Sequence, residues 1–188
     1  VPLLLNILIE ALGDSSRPRR PRWDCGHQPF GKKWWLDKPL KYFPHRESKR
    51  RAAVRALLIY PLNALVQDQV ESLRSILNGD QSVNAYHSIF GGDRIFFGQY
   101  SGMTDGTGKP SGSNTGELFR CSKLLAELER ESRGVKPEDA RYLQSTSGSE
   151  MLLRWDMQRV PPDILITNFT MLAIMLIREE EDFLFQST

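Results

Sequence analysis

The sequence predicts an α/β fold in which a parallel sheet is connected by crossover helices. Two segments carry this prediction, because each runs from a short apolar stretch through a polar turn into a helical pattern of apolar residues. The first is Ala56–Tyr60 with a helix over 64–77, and the second is 163–166 with a helix that carries Met171 and Met175. The 188 residues are 40% hydrophobic and 26% charged, which is the size and composition of one ordinary domain.

The first quarter of the chain predicts a helix followed by an irregular insertion. Residues 2–12 place leucines and isoleucines on one helical face, and Gly13 ends this helix. Residues 13–55 are rich in Pro and Trp and break the periodic pattern, so we interpret them as an insertion within a domain over 1–188. A structureless loop of this length is unusual in a compact domain, and we expect the insertion to contain its own aromatic cluster.

The next segment predicts a buried strand and its crossover helix. Ala56–Tyr60 is an unbroken apolar run, which is typical of a central parallel strand buried on both faces. Pro61 ends the strand, and Asn63 is a good N-cap for the helix over 64–77. The dipeptide 78–79, Asn-Gly, closes that helix.

The rest of the chain predicts one more strand on each side of a polar helical region. In chain order, we expect a strand over 93–99, a flexible Gly/Ser/Thr-rich stretch over 101–116, peripheral polar helices over 117–132 and 136–144, a surface helix end at Arg154–Asp156, a buried strand over 163–166, and an exposed acidic helix end at Glu179–Asp182. No internal repeat is present in the sequence. The alternation of strand, turn and helix again indicates a parallel sheet.

Composition excludes several classes of protein. No apolar run reaches the roughly 18 residues that a bilayer span needs, so we expect no membrane partner. The apolar stretch 1–12 lacks the basic start and cleavage site of a signal peptide. Cys25 and Cys121 are too few for a disulfide framework, which favours a reducing compartment and a cytoplasmic location. Because the chain starts at Val1 and not at Met, we expect it to be part of a longer protein.

Charge is strongly segregated along the chain. Residues 17–55 hold 13 of the 25 Lys and Arg but only three acids, an excess of ten positive charges, while the rest of the chain holds 12 basic and 20 acidic residues. Such a basic segment is typical of a polyanion binder, although a solvated loop gives the same composition. The candidate basic residues of the insertion are Arg17, Arg19, Arg20, Arg22, Lys32, Lys33, Arg50 and Arg51.

Two predicted strands end in similar polar turns. Asn63 follows the first strand, and Thr167 with Asn168 follows the last one. Ligands of open parallel sheets bind beyond the carboxyl ends of the strands, and the exposed N–H groups of a helix start favour phosphate oxygens. The sequence therefore predicts contacts with a phosphate backbone, without base specificity. The alternative is that both asparagines only cap helices.

Three segments carry a resemblance to a known family. YPLNALVQDQV (60–70) resembles motif Ia of superfamily-two DEAD/DEAH-box helicases, PPDILITNFTML (161–172) resembles a later motif of the same domain, and RIFFGQYSGMT (94–104) resembles the segment that carries motif Ib. The sequence is also similar to the large helicases of bacterial phage-defence systems, including the DISARM type. This resemblance implies a partial RecA-like domain of the P-loop NTPase class.

The resemblance also implies which residues contact the nucleic-acid backbone. By position in the three motifs they are Pro61, Asn63, Ala64, Gln67, Tyr100, Ser101, Gly102, Thr104, Thr167 and Asn168. The implied partners are nucleic acid, with DNA expected over RNA, and the rest of a helicase, including a second RecA-like domain. The insertion has no counterpart in the family core, and we expect it either to contact duplex or to form an interface.

The catalytic motifs of the family are absent from this sequence. It contains neither G-x-x-x-x-G-K-[ST] nor a DEAD, DEAH or DExH box, and phosphoryl transfer depends on such parts around the γ-phosphate. ATP and Mg²⁺ are thus expected in the parent helicase and not on this chain alone, which we expect to be inactive by itself, with no catalytic or metal-binding residue. The alternative function is a non-catalytic α/β module that binds nucleic acid or a protein partner.

Two smaller signals remain open. Trp34 and Trp35 lie beside Lys32 and Lys33, and interleaved aromatic and basic residues either stack on unpaired bases or pack together within the protein. The segment 25–27, Cys-Gly-His, contains zinc-ligand types, but no second paired spacing completes a site. We interpret it as a plain loop.

Overall fold

A computed structural model describes residues 33–44, 52–61, 63–89, 94–110, 115–140 and 142–185. Its centre is a four-stranded parallel sheet with the spatial order β1-β4-β2-β3. The strands are β1 (Ala56–Tyr60), β2 (Phe97–Tyr100), β3 (Glu150–Met151) and β4 (Ile164–Asn168). The prediction of an α/β fold with a parallel sheet is confirmed.

Helices connect the strands. They are α1 (Asn63–Leu77), α2 (Asp80–Ile89), α3 (Thr115–Ser132), α4 (Pro137–Ala140), α5 (Arg154–Arg159), α6 (Phe169–Met175) and α7 (Asp182–Phe185), with 3-10 turns at Trp34–Leu36 and Glu179–Glu181. Gly79 follows the end of α1 as expected, and α2, which the sequence did not predict, starts at the next residue. The helix expected over 136–144 is wrong in extent, because α4 forms a single turn. In the ranges given above, no helix is long and apolar enough to cross a bilayer.

Both faces of the sheet are covered around β4. Side chains along this strand point alternately to the two faces of the sheet. Ile164 and Ile166 pack in the cluster that includes Val66 and Val70 of α1. Leu165 packs on the opposite face with Met175 of α6. All three strand residues are fully buried. The central strand that is buried on both faces is therefore β4.

Among the described residues, β1 is not the central strand that the sequence predicted. Within the sheet as described, β1 lies at one end and pairs with β4 alone. Ala56 is buried, but the side chains of Leu57 and Ile59 are 38% and 42% exposed on the other face. An unbroken apolar run occurs both in strands that pack on one face and in strands that pack on two faces. The run alone therefore does not determine where the strand lies in the sheet.

An aromatic cluster forms a second core beside the sheet. Trp34 meets Trp35 and Tyr42 edge-on, with ring centroids 6.2 and 5.6 Å apart, and Tyr42 meets Trp155 at 5.4 Å. Apolar side chains of α3, among them Cys121, complete the cluster. The predicted clustering of aromatics is confirmed, but the cluster is shared with α3 and α5. The sequence suggested that the helix over 117–132 is peripheral. This is wrong, because α3 packs in the aromatic cluster.

The structure overturns one further expectation about a surface position and decides one alternative that the sequence left open. The segment Arg154–Asp156 is buried, because Trp155 packs in the aromatic cluster and Asp156 accepts a 2.7 Å hydrogen bond from the Tyr42 hydroxyl. Trp34 and Trp35 are only 1% and 6% exposed. Their rings serve packing and do not face unpaired bases.

The stretch expected to be flexible is held in place over 101–110. Gly106 and Thr107 donate backbone hydrogen bonds of 2.9 and 3.0 Å to the Glu117 carboxylate, and the Trp155 indole donates to the Gly108 carbonyl at 2.6 Å. Gly106 has φ of 86°, and a Cβ there would lie 3.2 Å from the Trp155 ring. Gly106 is thus required by its backbone conformation and by its close packing.

Candidate nucleic-acid interface

Three turns form one edge of the sheet, which we call the carboxyl edge. They lie after β1 at Pro61, after β2 at 101–104, and at the end of β4 over 168–170. The register places Tyr60 opposite Asn168 and Tyr100 opposite Thr167. The three segments that resemble helicase motifs therefore lie side by side, at the end of the sheet where ligands of open parallel sheets bind.

The turn after β2 is closed by its own hydrogen bonds. The Ser101 amide donates to Thr104 Oγ1 at 3.0 Å, the Thr104 amide donates to the Ser101 carbonyl at 3.1 Å, and the Thr104 hydroxyl donates to the Gln99 carbonyl at 2.8 Å. Ser101 is fully buried, whereas Gly102 is exposed. The Thr104 hydroxyl and the Ser101 backbone thus fix the shape of the turn, and Gly102 presents its backbone to solvent.

Thr167 and Asn168 have structural partners at the end of β4. The Thr167 hydroxyl is fully buried and donates to the Tyr100 carbonyl at 2.7 Å, which joins β4 to the β2 turn. Asn168 is the N-cap of α6, because its Oδ1 accepts a 2.7 Å hydrogen bond from the Met171 amide. Asn168 is half-buried, and the next two residues, Phe169 and Thr170, are exposed.

Tyr100 lies under the carboxyl edge in a buried polar network. Its hydroxyl donates to Glu181 Oε1 at 2.8 Å and accepts from the Gln158 amide at 2.8 Å. Burial, together with the hydrogen bond to Glu181, raises the pKa of Tyr100 well above its ordinary value. Glu181 is only 1% exposed, so the expectation of an exposed acidic helix end is wrong at this position. The carboxylate is kept inside by the tyrosine.

Sequence reasoning missed Arg154, which positions the β2 turn. Its guanidinium donates to the Ser101 carbonyl at 2.6 Å and lies 5.4 Å from the centre of the Tyr100 ring. Its backbone amide donates to the Asp105 carbonyl at 2.8 Å. The residue is buried, and an arginine in a polar stretch of sequence carries no periodic signal that would reveal this.

Helix α1 is linked to the same turn through two glutamines. Asn63 and Ala64 are the first two residues of α1, and Pro61 before them is exposed. The Gln67 amide donates to Gln99 Oε1 at 3.0 Å, and the Gln99 amide donates to Ser101 Oγ at 3.2 Å. All three motif segments are thereby connected by side-chain or register contacts.

Most of the basic insertion lies outside the described residues, including Arg17, Arg19, Arg20, Arg22, Lys32, Arg50 and Arg51. Lys33 is described, and its ammonium group forms an ion pair with Glu129 of α3. The hydrogen bond from Lys33 lowers the pKa of Glu129. Arg55, at the end of the basic segment, is 3% exposed in its side chain and pairs with Asp163. These two charges are used within the fold.

No metal centre is found in the part of the chain that the structure describes, where no group of three or more His, Cys, Asp or Glu side chains is placed to hold an ion. Cys25 and His27 lie outside the described ranges.

Comparison with known proteins finds one curated relative. The chain is 30% identical over 177 residues to Druantia protein DruE of Escherichia coli (strain UMEA 4076-1), a match that covers 71% of this chain and 10% of DruE. This chain thus spans about a tenth of that relative's length. No family model matches the chain. No solved structure matches it either.

Proposed function

We propose that this chain is part of the first RecA-like domain of an ATP-dependent nucleic-acid helicase or translocase that acts in phage defence. The observation that carries the proposal is the carboxyl edge, where the three helicase-like segments meet in register. The similarity to DruE, a phage-defence protein, supports the defence role. The role of this chain is to bind the sugar–phosphate backbone of one strand, with DNA as the expected polymer.

Backbone contacts at this edge come from exposed groups. Pro61, Gly102 and Thr170 are exposed on three neighbouring turns. Gly102 offers a backbone N–H and Thr170 a hydroxyl, whereas Pro61 has no N–H and contributes only shape. The buried hydroxyls of Ser101 and Thr167 hold the β2 and β4 turns in position. Amide groups and small polar side chains bind phosphate without reading bases. A motor that moves along a strand needs contacts of this kind, because they are the same at every nucleotide.

ATP and Mg²⁺ do not fit the residues of this chain. Its sequence has no glycine-rich phosphate loop with a following Lys and Ser or Thr, and no acidic box that would hold Mg²⁺. In the proposed helicase, other parts of the protein hold the nucleotide, and a second RecA-like domain closes on the first. The basic insertion adds electrostatic attraction for nucleic acid.

The proposal is tested by ATP hydrolysis of the full-length protein with and without single-stranded DNA or RNA. Phe169→Glu places a negative charge at the carboxyl edge, on a residue that is 72% exposed, and Phe119→Glu is the matched control on α3, at 65% exposure. We expect strand-stimulated hydrolysis in the wild type and the control, and weaker stimulation with Phe169→Glu. Hydrolysis that no strand stimulates, or equal stimulation in both variants, overturns the proposal.

A second candidate function is a binding module without a motor. The sequence observation that favours it is the absence of both ATP-hydrolysing motifs. It predicts that the full-length protein binds strands, with affinity falling steeply as salt rises, but hydrolyses no ATP. The hydrolysis assay therefore separates the two functions.

A further inference from the structure

A polar cleft opens beside the carboxyl edge. Its volume is about 220 Å³, and it lies at the ends of β2 and β3 between α1 and α3. Leu124, Leu128 and Leu152 form an apolar wall. The volume is far above the roughly 30 Å³ of a water molecule and below the roughly 300–1,000 Å³ of pockets for drug-sized ligands. One flat ring system fits this space better than a whole nucleotide.

Three glutamine amides lie around the cleft. Gln67 bonds to Gln99 at 3.0 Å, and Gln144 donates a longer bond of 3.4 Å to Glu150 Oε1. An amide group carries two donor hydrogens and an acceptor oxygen, so these bonds use only part of the capacity of Gln67 and Gln144. Both residues are exposed, which keeps their remaining groups accessible to a ligand.

Charge around the cleft disfavours an anion. Glu150 and Asp105 are among the lining residues, and none of the lining residues that the structure describes is Lys or Arg. Arg74 neutralises Glu150 from behind with two hydrogen bonds of 2.7 and 3.0 Å, and Arg120 pairs with Asp105. A phosphate would meet two carboxylates here, whereas a neutral ligand with donors and acceptors along one side would not be repelled.

We propose that this cleft holds one unpaired base of the strand bound at the carboxyl edge. Proteins that hold an unpaired base place its flat ring against aromatic or apolar side chains and bond its edge with polar groups. The cleft combines these two features, and Ser101 and Thr104 of the β2 turn belong to both the cleft and the edge. A nucleic-acid strand bound at the carboxyl edge passes the opening of the cleft, and one of its bases enters the cleft. This inference rests on the proposed function and adds a base contact to it.

The test compares single-stranded DNA oligonucleotides that differ by one abasic site, moved along the strand, in binding to the full-length protein. We expect the affinity of the wild type to fall about tenfold when the abasic site takes the position of the inserted base, because the apolar contacts and hydrogen bonds of that base are then lost. Leu124→Phe fills the cleft, and Gln144→Leu removes an exposed amide without touching the core. Both variants should bind intact and abasic strands equally. Gln81→Leu, an exposed glutamine of α2, should behave as wild type.

The outcomes separate this inference from the proposed function. Wild-type binding that is the same for intact and abasic strands at every position overturns the cleft inference and leaves backbone binding intact. Discrimination that persists in both Leu124→Phe and Gln144→Leu places the base elsewhere and also overturns it. If no strand binds the wild type, the proposed function falls, and the cleft inference falls with it. Gln144→Leu keeps the test decisive if Leu124→Phe does not fold.

Discussion

Asn168 allows the structural and the binding role of one residue to be separated. Its Oδ1 caps α6 through the 2.7 Å bond from the Met171 amide, and the residue lies at the carboxyl edge. Asn168→Ala removes the acceptor, whereas Asn168→Asp keeps it and adds a negative charge. The two variants therefore act in opposite ways on stability and on phosphate binding.

The magnitudes follow from the geometry. Loss of an N-cap lowers the free energy of unfolding by about 1 kcal/mol, so Asn168→Ala should be less stable by this amount. Aspartate is as good a cap and interacts favourably with the helix start, so Asn168→Asp should be as stable as wild type or more stable. A carboxylate about 4 Å from a phosphate is repelled by roughly 1 kcal/mol in water and roughly 4 kcal/mol near a protein surface. Strand affinity should then fall at least fivefold in the aspartate variant.

Denaturant unfolding and fluorescence anisotropy with a labelled single strand measure the two effects. At low salt, Asn168→Asp should bind more weakly than Asn168→Ala although it is the more stable protein. Raising the salt should reduce the difference, because exposed charges are screened. Equal strand affinity for wild type and Asn168→Asp at about 50 mM salt would refute the assignment of this turn to phosphate binding.

Three further predictions concern buried and ionisable groups. Arg74→Met should lower the free energy of unfolding by ~3–5 kcal/mol, since it leaves the Glu150 carboxylate buried without its arginine partner. Adding Glu150→Leu should restore most of the lost stability. A double variant that is no more stable than Arg74→Met would contradict this prediction. The hydrogen bond from Arg120, with the two backbone N–H bonds, lowers the pKa of Glu117 from 4.5 to about 2. Because Arg120 is exposed and its charge is screened, the stabilisation should be about 1 kcal/mol, present above pH 4.5 and lost as the pH falls toward 2. Acid unfolding of Glu117→Gln should lack this dependence. Burial raises the pKa of the Cys121 thiol to about 12, so in a Cys25→Ser background a thiol reagent at pH 8 should label only the unfolded protein; rapid labelling of the native state would show that the thiol is accessible.

Local sequence patterns predicted the helices and strands of this fold better than they predicted which of these elements lie next to each other. The strand Ala56–Tyr60 and helix α1 follow from apolar runs and helical spacing, which are properties of adjacent residues. The place of β1 at one end of the sheet and the burial of Trp155 depend on partners far away in the chain. No window of sequence contains those partners.

The candidate site shows the same division. That turns after parallel strands meet at one edge follows from the fold class. The residue pattern located the turns after β1 and β4, and the family resemblance located the turn after β2. The use of the Ser101 and Thr167 hydroxyls inside the protein was not predictable, because a hydroxyl at a turn looks the same whether it bonds a neighbouring strand or a ligand. Arg154 was missed for a similar reason, since its acceptor is the carbonyl of Ser101, 53 residues earlier in the chain.

The order of strands in the sheet also bears on how the chain is made. β4 is the last of the four strands in the chain, yet it lies between β1 and β2 and pairs with both. At translation rates of about 5–20 residues per second, Ala56 leaves the ribosome several seconds before its partner Ile164. Until β4 has been synthesised, no strand pairs with both β1 and β2 and links them into one sheet. The nascent chain can pair β2 with β3 earlier, but β1 joins the sheet only when β4 arrives. The carboxyl edge, which is made of the ends of β1, β2 and β4, is therefore completed only at that moment.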